Sequence, residues 1–261
     1  MNSGFLSEMN QRELSAYEPE VVILPIGSTE VHAWHLPYGT DSITGETLGR
    51  RIMKLTAARG CRALFMPTIH YSVVTNITAF PFSVGVTPTT LIRVCMEILG
   101  NLAEQGVRKV VILNNHGGNI GTMDALMRTV HAELPLFVTI INPWGPAEDV
   151  IEEIKETDDI GHACEIETSI CLDLFGDLVD MDEAVPTHSS PHKLPTADKI
   201  HAAFVKPWHI FTTTGGMGDP TKATKEKGAK LNAVYAERIA DLVCQLAETE
   251  LTDNTPYYKP E

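Results

Sequence analysis

The chain has 261 residues, of which 43% are hydrophobic and 21% are charged. This balance is ordinary for a globular protein, and the length is enough to bury a full hydrophobic core. The formal net charge of −14 would repel phosphate backbones, so nucleic acid is not an expected partner. Residues 1–17 lack the apolar core of a signal peptide, and no run of 18 apolar residues exists, so no membrane segment is predicted.

The five cysteines are odd in number, and no two of them have C-x-x-C spacing. This pattern favours neither a disulfide scaffold nor a structural zinc ribbon. We therefore expect free thiols and a cytoplasmic location.

Strand-like and helix-like segments alternate along the first half of the chain. Short apolar runs predict strands, and apolar residues at helical spacing predict helices. In chain order we predict a strand over 21–26, a helix over 42–58, a strand over 62–69, a helix over 88–105, a strand over 109–113, a helix over 120–133 and a strand over 136–141. This alternation indicates βαβ units and a mostly parallel sheet.

The second half of the chain is less regular. Helices are predicted over 166–175 and 224–251, and residues 180–220 are rich in Pro, His, Thr and Gly. An irregular stretch of that length is often a lid or a binding loop. Without a repeat or a linker, the simplest interpretation is one α/β domain over 1–261.

A first polar cluster, over residues 27–41, directly follows the first predicted strand. In open α/β sheets, ligands bind outside the carboxyl ends of strands. Glu30 and His32 are two residues apart and would point to the same side of an extended chain. The loop after them could fold Asp41 back toward the pair, where its two oxygens could bridge two metal ions. The alternative is a polar loop with Asp41 as a helix N-cap.

A second polar cluster, over residues 114–119, follows the strongest predicted strand and precedes a helix. His116 would be a third metal ligand from the protein. Gly117 and Gly118 permit a tight turn and a close approach of substrate to the backbone. Their N–H groups could hold a substrate or stabilise an oxyanion.

A third polar cluster, over residues 161–169, opens the helix predicted over 166–175. His162 suits general acid–base catalysis. Glu165 and Glu167 could be metal ligands, or they could simply complement the dipole of the first helical turn. Residues three apart share a helix face, so spacing alone pairs His162 with Glu165.

Other nucleophiles are less favoured. Cys164 lies beside His162, but neighbouring carboxylates would raise its thiol pKa. A serine nucleophile lacks the usual G-x-S-x-G pattern. One of the histidines in the irregular stretch could also line a pocket: His188, His192, His201 or His209.

Together, the clusters resemble the creatininase (creatinine amidohydrolase) family. The chain has G-S-T-E-V-H-A-W-H-L-P over 27–37, T-D at 40–41, N-N-H-G-G-N over 114–119, H-A at 162–163 and E-T-S at 167–169. A fourth match is T-G-G-M-G-D-P over 214–220. The matches run in order along nearly the whole chain.

The resemblance implies a three-layer α/β sandwich around a mostly parallel sheet, often in a homo-oligomer, specifically a hexamer. It also implies one or two divalent metal ions per subunit (Zn²⁺ or Mn²⁺, with Fe²⁺ a further option) and a small-molecule substrate. The implied metal ligands are Glu30, His32, Asp41, His116 and Glu167, with Asp41 bridging. In this resemblance Glu167 is favoured over Glu165, and His162 is the catalytic histidine.

The implied reaction is hydrolysis of a cyclic or small amide, in which a metal-activated water attacks the carbonyl carbon. His162 then protonates the leaving nitrogen, and Glu167 assists. The residues expected around the substrate are Gly117, Gly118, Trp208, Gly215 and Gly216.

One departure leaves the substrate open. Creatininase proper has a glutamate ligand where this chain has Gly118, so a second metal would be held by Glu167 or be absent. Branches with the Gly-Gly version include a formamidopyrimidine deformylase, a peptidase of mycofactocin maturation and a 3-dehydro-scyllo-inosose hydrolase, which cleaves a carbon–carbon bond. A non-catalytic, metal-bound binding module is the alternative outside enzymes.

Overall fold

A computed structural model of the protein describes residues 4–190, 192–200 and 202–257, apart from the side chains of Asp198 and Phe211. The strands are β1 (Val21–Ile26), β2 (Ala63–Phe65), β3 (Lys109–Asn114) and β4 (Phe137–Ile141). The helices are α1 (Gln11–Tyr17), α2 (Thr40–Ala58), α3 (Pro88–Glu104), α4 (Ile120–Glu133), α5 (Glu148–Ile154), α6 (Glu165–Phe175), α7 (Pro195–Lys199), α8 (Trp208–Phe211) and α9 (Lys225–Glu248).

The strands form one parallel sheet in the order β2-β1-β3-β4. Ile23 in β1 lies opposite Phe65 in β2 and Val111 in β3, and Val111 lies opposite Thr139 in β4. Strands β1 and β3 are therefore neighbours at the centre of the sheet, although more than 80 residues separate them in the chain.

Alternate residues along each strand face opposite layers of helices. Val21 and Ile23 belong to one core cluster with residues of α2, α6 and α9. Val22 and Leu24 belong to another core cluster with residues of α3 and α4. A sheet covered on both faces requires apolar residues at consecutive positions, which is why β1 is a continuous apolar run. The predicted three-layer α/β sandwich is confirmed.

Every predicted strand and helix occurs; β1 and α4 have the predicted ends, and the other elements have shifted ends. The strand predicted over 62–69 is shorter, since Pro67 cannot donate to a neighbouring strand and Ile69 makes only an isolated bridge to Ile26. The helix predicted from residue 42 begins at Thr40, with Gly39 as its N-cap. Asp41 is thus the second residue of α2 and does not cap it, which corrects the N-cap alternative.

Four short helices of the described residues were not predicted: α1, α5, and the two helices α7 and α8 in the irregular region. Helix α1 begins with a capping box between Asn10 and Glu13, a signal that the sequence contains. Helix α5 has no side-chain cap at its start. The single-domain assignment over 1–261 stays a prediction. Within the described ranges, no helix is long and apolar enough to cross a membrane.

The irregular region over 180–220 contains α7 and α8 and folds back toward the third polar cluster. Thr187 and Gly218 exchange two backbone hydrogen bonds of 2.9 and 2.8 Å. His162 and Met217 exchange two more, of 3.0 and 2.7 Å. These pairs attach the end of the irregular region to the segment that carries His162.

Close packing of α6 against α9 depends on Gly228. A Cβ atom built there would overlap the backbone carbonyl oxygen of Ser169 in α6. That carbonyl belongs to a helix, so it cannot move away without disturbing α6. We therefore expect Gly228→Ala to lower the free energy of unfolding by about 2–3 kcal/mol in urea denaturation. Gly100→Ala is the matched control, since its nearest atom, in Leu134, lies 4.0 Å away. It should raise stability by up to about 1 kcal/mol, and equal losses in both variants would contradict the argument.

Candidate metal centre

The first two polar clusters meet because β1 and β3 are neighbours in a parallel sheet. Glu30 and His32 lie on the loop that follows β1, and Asp41 lies in the first turn of α2 at the end of that loop. His116 lies two residues after the end of β3. All four side chains are buried, with exposures of 6% or less.

One group of possible ligands consists of Glu30, Asp41 and His116. Nδ1 of His116 lies 3.2 Å from Oε1 of Glu30 and 3.0 Å from Oδ2 of Asp41. Ser28 donates a hydrogen bond of 2.7 Å to the same Asp41 oxygen. Two carboxylates and one imidazole suit zinc or manganese.

A second group consists of His32, Asp41 and Glu167. Nε2 of His32 lies 3.2 Å from Oδ1 of Asp41 and 3.9 Å from Oε1 of Glu167. Asp41 therefore belongs to both groups and presents a different oxygen to each histidine. This arrangement gives a donor set for two neighbouring cations.

Both histidines are held in the tautomer that metal binding requires. Nδ1 of His32 lies 3.1 Å from the carbonyl oxygen of Glu30, and Nε2 of His116 lies 2.9 Å from that of Val73. A carbonyl oxygen only accepts, so in neutral rings these outer nitrogens carry the protons. The inner nitrogens then keep their lone pairs for a cation, as in known metal sites. The residues present therefore fit a divalent metal.

The electrostatics of the cluster also favour positive charge. Burial alone would lower the pKa of His32, but the carboxylates around it, Asp41 foremost and then Glu167 and Glu30, together outweigh burial and raise that pKa to about 9. Burial is likewise outweighed at His116, mainly by Glu30, and its pKa is well above the ordinary value. At Asp41, burial is outweighed by His32 and His116, which hold its pKa below the ordinary value. Buried carboxylates at this density need cationic partners.

His162 lies at the edge of the cluster. Its Nε2 is 2.7 Å from the carbonyl oxygen of Val31 and 3.8 Å from Oε1 of Glu30, while its Nδ1 is 4.0 Å from Oε2 of Glu167. Its ring centroid lies 4.2 Å from that of His32. His162 also forms a third group of possible ligands with Glu30 and His32.

The structure separates the two glutamates that the sequence left open. Glu165 is fully buried, but it pairs with Lys227 at 2.7 Å and accepts hydrogen bonds from the backbone of Glu156 and Thr157. The pairing of His162 with Glu165 predicted from spacing is therefore wrong. His162 precedes Cys164, the N-cap of α6, so helical periodicity does not apply to it. Only Glu167 of the two reaches the cluster.

A cavity of about 360 Å³ opens onto the cluster. Its lining includes the cluster residues Glu30, Asp41, His116, His162 and Glu167. The predicted substrate contacts Gly117, Gly118 and Trp208 also line it, together with Trp144, Asn76, Ile77, Asn115, Ile160 and Met217.

Trp208 packs edge-on against His162, with ring centroids 4.9 Å apart. Gly215 and Gly216, expected around the substrate, are not among the described lining residues. Added Cβ atoms there would meet Val31 and Ala33. These glycines therefore allow their own segment to pack closely against the loop after β1.

Sequence reasoning missed a hydrogen-bonded circuit around His116. The Asn119 side chain accepts from the backbone N–H of Val73 at 3.0 Å and donates to Oδ1 of Asn114 at 3.1 Å. The backbone N–H of His116 also donates to that Asn114 oxygen, at 3.3 Å. Asn119 thus holds the Val73 carbonyl that orients His116. The sequence signal that could have identified Asn119 is its position at the end of the N-x-H-x-x-N pattern.

The remaining candidate residues, a cysteine and several histidines, are not placed to take part in this chemistry. Burial, and then Glu167, raise the pKa of the Cys164 thiol to about 11, which disfavours a thiolate nucleophile. His188 is mostly exposed beside Asp159, and neither His192 nor His209 is among the residues that line the cavity. His201 lies outside the described residues.

The fold and cluster define a three-layer α/β protein with a candidate two-metal centre at the carboxyl ends of its central strands. The chain belongs to the creatininase family, because the family described as creatinine amidohydrolase matches residues 7–243. Members of this family are hydrolases that act on amide bonds.

Known relatives are similar over most of the chain. The mycofactocin precursor peptide peptidase of Mycolicibacterium smegmatis is 27% identical over 91% of this chain and 90% of its own length. A solved putative creatinine amidohydrolase from Bacteroides fragilis is 29% identical, with a TM-score of 0.89 over 97% of this chain and all of that one. A solved creatininase with manganese is 25% identical, with a TM-score of 0.76 over 94% of this chain and 98% of that one.

The two buried glutamates of α6 give a direct test of the ligand assignment. We expect Glu167→Gln to lose bound Zn²⁺ or Mn²⁺, measured by elemental analysis, because the amide is a poor metal ligand. Glu165→Gln should keep its metal content and lose about 2 kcal/mol of unfolding free energy, because Lys227 loses a charged partner. Metal loss in Glu165→Gln but not in Glu167→Gln would reverse the assignment.

Proposed function

We propose that the protein is a metal-dependent hydrolase that cleaves an amide bond in a small substrate without a phosphate group. Short peptides and cyclic amides are the substrate classes in view. The observation that carries the proposal is the pair of ligand groups that share Asp41, with His162 beside them. Membership of an amide-hydrolysing family supports the same reaction class.

The proposed metal ligands are Glu30, His32, Asp41, His116 and Glu167. When bound, a divalent metal would supply a Lewis acid for the carbonyl oxygen and a nucleophilic water near neutral pH. The residues contribute the charge that holds the cation, and the carbonyl oxygens of Glu30 and Val73 keep both histidines in the required tautomer.

His162 is placed to move a proton. Its Nε2–H donates to the carbonyl oxygen of Val31, so its Nδ1 keeps a free lone pair. That nitrogen would take a proton from the nucleophile and deliver it to the leaving amide nitrogen. Trp208 packs edge-on against the ring and limits its rotation.

The cavity favours an uncharged substrate. Its lining combines apolar residues, such as Trp144 and Ile77, with the uncharged polar residues Asn76 and Asn115. Of the described residues, no lysine or arginine lines it. Phosphates are usually held by such cations, so a nucleotide deformylase is less well supported than an amidase or peptidase. The similar mycofactocin peptidase favours a peptide over creatinine.

Two alternatives use the same residues. Hydrolysis of a carbon–carbon bond in an inositol-derived cyclic ketone needs the same centre, and analysis of the products separates it from amide cleavage. A non-catalytic binding module would keep the ligands and tolerate loss of His162. We also propose a cytoplasmic homo-oligomer, a hexamer by family analogy. The free state of all five cysteines supports the compartment.

Removal of the metal is the first test. A strong chelator should abolish amide hydrolysis, and Zn²⁺ or Mn²⁺ should restore it, because the nucleophile depends on the cation. Hydrolysis would be followed by release of the free amine. Unchanged turnover in protein shown by elemental analysis to be metal-free would refute the proposed function.

His162→Ala tests the proton transfer. We expect kcat to fall by about 10²–10⁴-fold while the metal content stays the same, because the variant removes a general acid–base group. His131→Ala, an exposed histidine of α4, is the matched control and should behave like the parent protein. If both variants retain full activity, His162 has no part in the chemistry.

The charge of the substrate can be tested with paired compounds. A formamide-bearing nucleotide and its dephosphorylated nucleoside differ only in the phosphate. We expect kcat/KM to favour the nucleoside by about tenfold or more, equivalent to about 1.4 kcal/mol. Short peptides and creatinine would be assayed beside them. A preference for the nucleotide would show that a cation of the protein reaches the phosphate.

A further inference from the structure

His35 is a buried polar residue that the chemistry above does not use. Its side chain is 1% exposed, and its Nε2 lies 2.8 Å from the hydroxyl oxygen of Thr168. Its Nδ1 has no hydrogen-bond partner among the described residues. Burying a polar ring with an unpartnered nitrogen costs free energy. A histidine kept in the interior at that cost is expected to have a role, and its one hydrogen bond is the contact that can provide it.

The hydrogen bond joins two segments that supply candidate ligands of one metal. His35 lies three residues after His32, on the loop that follows β1. Thr168 directly follows Glu167 in the first turn of α6. The ligand atoms of His32 and Glu167 are 3.9 Å apart, and 133 residues separate the two hydrogen-bonded side chains in sequence.

Apolar contacts alone would not fix this distance. Ala33 and Leu36 pack against Ala163 and Cys171 in a small cluster between the same two segments. Hydrophobic contact is non-directional, so small side chains hold two segments together without setting their register. A hydrogen bond is directional and loses strength with small displacements.

The backbone around the centre is strained, which also requires fixed contacts. Ala33 directly follows His32 and has φ of 55°, and Ala163 directly follows His162 and has φ of 50°. A left-handed conformation costs a residue with a Cβ about 1–2 kcal/mol. Such strain persists where surrounding contacts hold the chain in place. The hydrogen bond from His35 lies in the turn that Ala33 opens.

We propose that His35 is a positioning residue, whose hydrogen bond to Thr168 sets the distance between His32 and Glu167 and so tunes the affinity of that ligand group for a divalent metal. The inference rests on the proposed metal centre. A buried N–H without an acceptor is rare, so the unpartnered Nδ1 carries a lone pair. Nε2 then carries the proton and donates to Thr168.

Zn²⁺ titration of metal-free protein, followed by calorimetry and elemental analysis, tests the proposal without using activity. His35→Leu and Thr168→Val each remove the hydrogen bond. Each should weaken one Zn²⁺ by about 10–100-fold, as loss of a ligand-orienting hydrogen bond usually does. His35→Gln and Thr168→Ser can restore a donor and a hydroxyl, and they should bind Zn²⁺ nearly as the parent does.

The double variant His35→Leu, Thr168→Val should bind Zn²⁺ no more weakly than the worse single variant, because both changes remove the same bond. Thr56→Val is the control: it removes a buried hydrogen bond of 3.0 Å to the Met53 carbonyl in α2. It should lower stability without changing Zn²⁺ affinity.

Three results would overturn the proposal: parental Zn²⁺ affinity in Thr168→Val, additive losses in the double variant, or equal loss in Thr56→Val. If His35→Leu does not fold, the pair Thr168→Val and Thr168→Ser decides the question. Failure of the proposed function looks different, because the parent protein itself would then bind no divalent metal.

Discussion

The centre is organised around the carboxylate of Asp41, which is buried and shared. One oxygen faces His32 and the other faces His116, and Ser28 donates to the second oxygen as well. A carboxylate in such surroundings is tolerated only beside positive charge. In the metal-free protein the protonated histidines provide that charge, and in a metal-bound form a divalent cation would provide it. The loop after β1, the turn after β3 and the start of α6 all converge on this one side chain.

Much of this could be predicted from the sequence. The apolar runs of β1 and β3 indicate buried parallel strands, and parallel strands bring their carboxyl ends to the same edge of a sheet. Polar residues on the loops that follow those two strands, such as Glu30 and His116, are therefore predicted to meet. Such placement requires only the order of the elements.

Other features depend on packing that local patterns do not encode. Helical spacing selected Glu165 over Glu167, but spacing applies only inside a helix, and His162 lies before the N-cap of α6. The family pattern selected Glu167, because it reflects the whole fold. The cavity wall that includes Asn76 and Ile77 comes from the stretch between β2 and α3, where no predicted strand or helix could position a side chain.

Close packing explains why residue 118 is a glycine, and this explanation changes how the difference from creatininase proper is interpreted. A Cβ atom at this position would overlap Nε2 of His116 and lie 2.8 Å from the carbonyl oxygen of Val73. Those are the two atoms whose hydrogen bond orients His116. A glutamate here would add one candidate ligand but would disturb another, His116. With glycine, each ligand group has three protein donors, the number found at catalytic zinc sites that keep a position open for water or substrate. The missing glutamate is therefore compatible with a catalytic centre.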